Sequence, residues 1–307
     1  MAALRIVTLI PSATEIVAAL GFRDKIVGRS HECDYPTRID ALPALTAPKL
    51  AVDGGSAALD ERVRRLIEQG LAVYQVDAPL LKKLAPDVIV TQDQCQVCAA
   101  SLADVEAATR DWTDRTVNIV SLNPMSLEDV WRDIAKVADA LGVADGGKSL
   151  IHSLKSRMQM TASQAASVKR RPRTAFIEWI EPLMSGGNWI PTLIEMAGGE
   201  NLFGTAGQPS PWIEWEALKA ADPDVIVIAP CGLGLARIRA DYPRLTKLPG
   251  WDALAAVKAK RVYFADGNHF FNRPGPRLVE TLEILAELIH PDRFSFGNRG
   301  RAWEPAL

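Results

Sequence analysis

All four cysteines and two of the four histidines lie in segments that directly follow short apolar stretches. Cys95 and Cys98 form a C-x-x-C pair, a spacing that lets two thiolates bind one metal ion. Thiolate and imidazole ligands suit zinc, iron or a cobalt-centred cofactor. The side chains that could complete such a site are Cys33, Cys231, His31 and His269. The alternative interpretation is that these cysteines are small apolar residues at strand ends, and both interpretations stay open.

Polar and aromatic side chains in the same segments are candidates for ligand contact. Flat indole rings suit a large planar or apolar ligand, and hydroxyl, amide and guanidinium groups can orient it. The candidate set consists of Ser12, Thr14, Tyr35, Gln92, Trp179, Trp212, His269, Phe270 and Arg273. Ser12-Ala-Thr-Glu15 also has the capping-box pattern, which predicts Ser12 as the N-cap of a short helix that ends at Gly21.

Several standard catalytic and nucleotide-binding motifs are absent from the sequence. It contains no G-x-G-x-x-G after the first apolar stretch, no G-x-S-x-G and no H-E-x-x-H. Binding is therefore favoured over catalysis. Two alternatives remain: a metal-binding protein with a cysteine and histidine site, and an enzyme that uses a cysteine nucleophile or a metal-activated water.

Composition excludes several classes of function. The 307 residues carry a net charge of −2, without a basic block that would indicate nucleic-acid binding. No apolar run reaches the roughly 18 residues of a membrane span. The stretch from Arg5 to Ile10 is closed by Pro11 and is too short for the core of a secretory signal. We therefore expect a cytoplasmic protein with reduced thiols, or a periplasmic one if the encoded chain begins upstream of Met1.

Apolar runs alternate with amphipathic helical patterns, which predicts an α/β fold with parallel sheets. Because ligands of such folds bind at the carboxyl ends of the strands, the candidate residues are expected at that edge. The predicted strands are Arg5–Ile10, Ile26–Arg29, Asp87–Thr91, Val117–Leu122, Thr174–Ile180, Asp224–Ala229 and Arg261–Ala265.

Two helical runs in the middle of the chain, 127–141 and 146–168, contain no strand pattern. They predict an N-terminal α/β lobe over 1–124, a helical linker with one long helix over 125–171, and a C-terminal α/β lobe over 172–307. The lobes share a short repeat, since Ala-Pro-Asp-Val-Ile-Val at 85–90 returns as Asp-Pro-Asp-Val-Ile-Val at 222–227. Two similar lobes would bring their strand-end loops to one cleft.

An ordered set of motifs resembles the iron-chelate and vitamin B12 class (class III) of ABC-transporter solute-binding proteins. It resembles the cobalamin-binding branch most, here as a cytoplasmic variant. The motifs are Arg5-Ile-Val-Thr-Leu-Ile-Pro-Ser-Ala-Thr-Glu15, Asp34-Tyr-Pro36, Pro86-Asp-Val-Ile89, Gly198-Gly-Glu-Asn201 with Phe203, Pro223-Asp-Val-Ile-Val227 and Phe271-x-Arg273-x-x-Pro276-Arg277.

The resemblance implies two Rossmann-like lobes joined by one long helix, and a cobalamin, other corrinoid, haem or siderophore-like chelate held between them without catalysis. It implies that Trp212 packs on the ligand and that His269 reaches it. Gln92 takes the place of an aromatic wall residue of the family. Glu216 matches a glutamate that docks an ABC permease, a partner expected only if the protein is exported. Zinc or iron is the expected metal if the cysteines form a bare site.

Overall fold

The computed structural model describes residues 3–68, 73–93, 102–110 and 116–306. These residues form two compact units. Unit 1 comprises the described residues within 1–53, 61–124 and 128–153, and unit 2 comprises those within 54–60, 125–127 and 154–307. In the described part of the chain, no helix is both long enough and apolar enough to span a membrane.

Unit 1 contains a four-stranded sheet in the order β2-β1-β5-β6, in which every neighbouring pair is parallel. A separate antiparallel pair, β3 and β4, lies outside that sheet. The strands are β1 (Ile6–Thr8), β2 (Ile26–Arg29), β3 (Thr46–Pro48), β4 (Tyr74–Val76), β5 (Val88–Gln92) and β6 (Asn118–Leu122). The helices of the first half are α1 (Pro11–Val17), α2 (Ser56–Glu68), α3 (Ala78–Leu84), α4 (Leu102–Thr109), α5 (Leu127–Ala140) and α6 (Ala144–Ala166).

Unit 2 contains a six-stranded sheet. Its path is β12-β11-β10-β7-β8, and β9 pairs with β7 in parallel. The central pairs β7–β10 and β10–β11 are parallel, whereas β8 and β12 are antiparallel to their neighbours. The strands are β7 (Arg173–Trp179), β8 (Met184–Ser185), β9 (Glu200–Asn201), β10 (Val225–Ile228), β11 (Val262–Ala265) and β12 (Trp303–Pro305). The helices are α7 (Ile190–Met196), α8 (Trp215–Ala221), α9 (Leu235–Asp241), α10 (Pro243–Thr246), α11 (Ala255–Lys258) and α12 (Leu278–Ile289).

The predicted α/β fold class is confirmed, and all seven predicted strands are present with small shifts at their ends. The sequence did not predict the short strands β3, β4, β8, β9 and β12, and the second sheet is mixed because of β8 and β12. The helical middle of the chain is divided between α5 and α6 at Gly142, whose φ of +72° is a left-handed conformation that glycine adopts without strain. The predicted lobe boundaries at 124 and 172 stay a prediction.

The predicted capping box at Ser12 is wrong. Helix α1 begins at Pro11, and Ile10 is the N-cap, with extended backbone and no side-chain hydrogen bond. Proline suits the first helical position because its φ is already helical and no N–H is lost. Ser12 is therefore inside the helix and fully buried, and its Oγ has no hydrogen-bond partner among the described residues.

In unit 1, one carboxylate fixes the amino ends of the two central strands. Asp87 Oδ2 accepts a hydrogen bond of 2.8 Å from the backbone N–H of Arg5, and the Asp87 N–H donates to the Arg5 carbonyl at 2.8 Å. The Arg5 side chain donates from Nε to the carbonyl of Leu84, the last residue of α3. Ala85 ends that helix in the left-handed region at φ 44°. We call this arrangement the aspartate clamp.

Unit 2 repeats the clamp at the amino ends of β7 and β10. Asp224 Oδ2 accepts from the N–H of Arg173 at 2.9 Å, and the Asp224 N–H donates to the Arg173 carbonyl at 2.8 Å. Arg173 Nη1 donates to the carbonyl of Ala221, the last residue of α8, and Asp222 ends this helix at φ 41°. The sequence repeat at 85–90 and 222–227 therefore encodes the same hydrogen bonds in both units.

Removing the carboxylate from either clamp is expected to destabilise the protein. Asp87→Ala and Asp224→Ala each leave a backbone N–H without its acceptor, which costs about 1–3 kcal/mol when the group is buried. Urea unfolding followed by circular dichroism measures the loss. Asp292→Ala, at an exposed position, is the matched control. A loss no larger than that of the control would contradict a stabilising role for the clamp.

The stability of unit 1 is also expected to depend on the ionisation of Asp133 in α5. Its side chain is buried, and this desolvation raises its pKa to about 6, against the opposing effects of Lys136, the Asn123 N–H and Arg132. The folded state then binds the proton more tightly than the unfolded state, so stability falls as pH rises from about 4 to about 6.

Asp133→Asn removes this cost. The variant is expected to be about 1–3 kcal/mol more stable than the original protein at pH 8, because one pKa unit corresponds to about 1.4 kcal/mol. The difference should shrink towards pH 4, where both side chains are neutral. Urea unfolding at pH 5 and pH 8 measures it, with Asp145→Asn at an exposed site as control. An equal effect at both pH values would contradict the shifted ionisation.

Candidate functional site

The carboxyl edge of the unit 1 sheet contains a chain of buried hydroxyl and thiol groups. Thr8 Oγ1, at the end of β1, lies 2.7 Å from Thr14 Oγ1 in α1, which in turn lies 3.0 Å from Cys33 Sγ. All three side chains are buried, and Cys33 is only 1% exposed. Ser12 lies in the same helix. The structure therefore places Cys33 inside unit 1 as a hydrogen-bonded thiol.

His31 follows β2 and is held by a threonine. Its Nδ1 lies 2.7 Å from Thr46 Oγ1, and its backbone N–H donates to the same oxygen at 3.0 Å. Its ring lies 5.2 Å from the ring of Tyr74. Burial, together with the nearby charge of Arg29, lowers the pKa of His31. The imidazole is therefore neutral at neutral pH, the protonation state in which a histidine can bind a metal.

The other unit 1 candidates differ in exposure. Tyr35 is 41% exposed, and Gln92, the last residue of β5, is 3% exposed. Cys95 and Cys98 lie outside the described residues. Tyr35 is thus the candidate in unit 1 that presents a large surface to a ligand.

The carboxyl edge of unit 2 presents an exposed indole. Trp212 is 58% exposed and forms an isolated antiparallel bridge with Met184. Close by in the fold, Glu178 near the end of β7 accepts a hydrogen bond of 2.9 Å from Ser210 Oγ, and Ser210 Oγ also accepts from the Gly187 N–H. These bonds hold the segment that carries Trp212 against β7.

The other tryptophans of unit 2 pack inside it. Trp189 is buried, and its Nε1 donates to the Phe271 carbonyl at 2.9 Å. The Trp215 ring stacks on Trp251 at 6.0 Å. Trp179 is half-buried and packs against the core of unit 2. A ligand on this edge would therefore meet the Trp212 indole as its main aromatic surface.

His269 follows β11 in the helical turn Gly267–Phe271. Its Nδ1 lies 2.7 Å from Asp266 Oδ2, and its backbone N–H donates to Asp266 Oδ1 at 2.9 Å. The side chain is 40% exposed. The predicted site residue is therefore held in one orientation by a carboxylate and still reaches the surface.

Phe270 and Arg273 support this turn from inside. Phe270 is 3% exposed, with the guanidinium of Arg277 4.4 Å from its ring centroid. Arg273 is 5% exposed, and its Nη2 lies 3.4 Å from Asn268 Oδ1. Both were predicted to contact a ligand; the structure buries both side chains.

Cys231 follows β10 at the same edge of unit 2. It is exposed, and its backbone N–H donates to the Glu178 carbonyl at 3.1 Å. In the described part of the chain, no three His, Cys, Asp or Glu side chains are grouped so that they could hold a metal ion. The bare metal site stays a prediction, because its C-x-x-C pair lies outside that part.

Asp266, which hydrogen-bonds the backbone and ring of His269, was not among the predicted site residues, although its segment was identified. The signal was available: an aspartate directly after a strand and before Gly-Asn is typical of a residue that caps a helical turn. What the sequence does not show is that the second carboxylate oxygen binds the histidine ring.

Comparison with known proteins places this architecture in a family. Residues 6–268 match a sequence profile described as "Periplasmic binding protein". The chain belongs to the periplasmic binding protein family. The class III fold implied by the sequence resemblance is confirmed. The family match covers most of both units and is consistent with the parallel central strands of their sheets.

Three similar proteins illustrate the family. An uncharacterised ABC transporter substrate-binding lipoprotein, YvrC of Bacillus subtilis, is 26% identical over 94% of this chain and 81% of its own length. A vitamin B12-binding protein of Vibrio cholerae is 24% identical over 93% and 88%. A periplasmic heme-binding protein of Pseudomonas aeruginosa has a similar fold, with a TM-score of 0.71, 22% identity and coverage of 94% and 93%. None of these relatives supports the expected cytoplasmic location.

The two described cysteines of this binding protein are expected to differ in reactivity. Cys231 is exposed, whereas Cys33 is buried and within hydrogen-bonding distance of Thr14. Brief treatment of the native protein with iodoacetamide should alkylate Cys231 and leave Cys33 unmodified, as measured by peptide mass spectrometry. Treatment in 8 M urea, which should label both, is the control. Labelling of Cys33 at the rate of Cys231 in native protein would contradict its burial.

Proposed function

We propose that this periplasmic binding protein is the substrate-binding component of an ABC transporter, and that it carries a metal chelate of the tetrapyrrole type without catalysis. Cobalamin, another corrinoid and haem are the candidate ligands. The names of two similar proteins, one binding vitamin B12 and one binding heme, support this class of ligand. The absence of standard catalytic motifs from the sequence is consistent with a binding role.

The exposed indole of Trp212 is the observation that carries the proposal. Large aromatic side chains on the surface of a monomer are typical of binding sites when polar groups surround them. Trp212 is 58% exposed in a segment that Glu178 and Ser210 hold against the sheet. A planar macrocycle stacked on this ring would bury the apolar faces of both. His269, on the loop after β11 in unit 2, is the proposed polar contact to the same class of ligand.

A second part of the proposal concerns Tyr35 and the transporter. We assign Tyr35, which is 41% exposed, to ligand contact. Glu216 in α8, with 71% side-chain exposure and an ion pair to Lys219, is the proposed contact for an ABC permease. A working partnership with a permease places the protein outside the cytoplasm.

Trp212→Ala is expected to weaken chelate binding about 10-fold or more. Burying a large apolar side chain contributes about 1.5–3 kcal/mol, and each 1.4 kcal/mol corresponds to about tenfold in Kd. Titration with cobalamin and with haem, followed by absorbance and by tryptophan fluorescence, measures the affinity. Met160→Ala, which removes an exposed apolar side chain from α6, is the matched control. If the unaltered protein retains neither chelate on gel filtration, the proposed function is wrong.

A further inference from the structure

A cavity of about 500 Å³ lies at the amino edge of the unit 2 sheet, opposite to the edge that carries the proposed chelate contacts. Residues from three segments line it: 168–172 before β7, 259–263 at the start of β11, and 289–293 at the end of α12. All three segments belong to unit 2. Small-molecule sites typically have volumes of roughly 300–1,000 Å³. The cavity is therefore large enough for a small ligand.

Four cationic side chains and one carboxylate line this cavity. The cations are Arg170, Lys260, Arg261 and Arg293, and the carboxylate is Asp292. Lys260 and Arg293 are exposed, and neither forms an ion pair with any residue that the structure describes. A concave surface lined mainly by one sign of charge attracts small ions of the opposite sign. The cavity therefore has the charge of an anion-binding site.

Two of the guanidinium groups are held in place by neighbouring groups. Arg170 donates from Nη2 to Asp224 Oδ1 at 2.6 Å, while Asp224 Oδ2 belongs to the aspartate clamp. Arg261 Nη2 donates to the carbonyl of Ile289 at 2.7 Å, at the C-terminus of α12, where the helix dipole favours a cation. These bonds position both arginines and occupy only part of each guanidinium, which has five N–H donors.

A buried tyrosine adds a neutral donor to the lining. Tyr263, in β11, is 7% exposed and lines the cavity. Its ring packs edge-on against Trp303 at 5.6 Å, and no residue in the described part of the chain forms a hydrogen bond with its hydroxyl. A tyrosine that is buried to this extent usually has a partner for its hydroxyl. The Tyr263 hydroxyl is thus suited to a hydrogen bond with a ligand in the cavity.

His290 lines the same cavity as a neutral ring. It is 8% exposed, and its Nε2 donates to the Gly198 carbonyl at 3.1 Å. Burial lowers the pKa of His290, and the charges of Arg261 and Arg293 lower it further, against the opposing effect of the bond to Gly198. The positive charge of the cavity therefore comes from its lysine and arginines, and two of the guanidinium groups are close enough to act on the ring.

We propose that this cavity binds a phosphate group, of a soluble phosphorylated molecule or of a lipid headgroup, and that Tyr263 is one of its donors. A phosphate has more oxygens and more charge than a carboxylate, which suits several cations around one group. Guanidinium groups match the geometry of its oxygens, and lysine adds a point charge. Val168, Pro172 and Ile289 complete the lining and suit an apolar portion of the same molecule.

Calorimetric titration of the full-length protein with pyrophosphate tests the site for a soluble ligand. One equivalent should bind at about 50 mM NaCl, where screening is weaker than at physiological ionic strength. Lys260→Gln and Arg293→Gln should each weaken binding about 10-fold, because each removes a charged donor. Lys247→Gln, which removes an exposed lysine elsewhere in unit 2, is the matched control and should bind as the original protein does.

Two further variants test the geometry of the cavity. Tyr263→Phe removes only the hydroxyl and should weaken pyrophosphate binding about 3-fold or more, since a neutral hydrogen bond contributes less than a charged one. Asp292→Asn removes the carboxylate from the lining and should tighten binding. Circular dichroism and the thermal midpoint show that the variants are folded. A folded Tyr263→Phe variant with the original affinity would show that Tyr263 is not a donor to the ligand.

Vesicles distinguish the two sources of phosphate. If the ligand is a lipid, the protein should sediment with vesicles of phosphatidylcholine and phosphatidylglycerol in equal parts, and not with phosphatidylcholine alone. Lys260→Gln should lose most of this binding, whereas Lys247→Gln should keep it. Binding of pyrophosphate without binding of vesicles assigns the site to a soluble ligand.

The phosphate site is wrong if neither pyrophosphate nor the anionic vesicles bind. It is also wrong if Lys260→Gln and Lys247→Gln weaken binding equally, because the attraction is then a general effect of charge. Binding of cobalamin and haem by Lys260→Gln should equal that of the original protein. The proposed function and the phosphate site are therefore tested independently of each other.

Discussion

One aspartate in each unit determines where the parallel strands begin. Asp87 and Asp224 each accept a hydrogen bond from the backbone N–H of an arginine at the start of the neighbouring strand, Arg5 or Arg173. The side chain of that arginine donates to the carbonyl of the last residue of α3 or α8, the helix that comes just before the aspartate in the chain. Helix end, turn and two strands are thereby joined at one point. In parallel sheets, fixing the amino ends fixes the register, and register decides which residues emerge at the carboxyl edge.

Much of this frame could be predicted from sequence because the signals are local. Buried parallel strands appear in the sequence as runs of apolar residues. The repeated Pro-Asp pattern occurs at the aspartate clamp of both units. The short strands could not be predicted: β8 and β12 contain two and three residues, and they exist only because a neighbouring strand offers hydrogen-bonding groups. At Ser12, the capping pattern was overridden by Pro11, which takes the first helical position.

The candidate site was predicted at the level of segments, and less well at the level of side chains. Strand ends are readable from sequence, so the segments around His31, Cys231 and His269 were identified. Which side chains face outward depends on packing between distant segments. Cys33 and Phe270 turn inward, towards Thr14 and Arg277 respectively. Two histidines in similar sequence positions also differ chemically, because Thr46 binds one ring and a carboxylate binds the other.

The clamps lie at the amino ends of the strands, and the candidate ligand contacts follow their carboxyl ends. A strand of four or five residues separates the two edges by about 15 Å, at about 3.3 Å per residue. Substitutions that far apart usually have additive effects on stability. Changes in the loops at the carboxyl edge should therefore leave the contribution of the clamps to stability unaltered. A scaffold built in this way can acquire a new ligand by changing a few loop residues, and grafting such loops between relatives becomes a practical route to altered specificity.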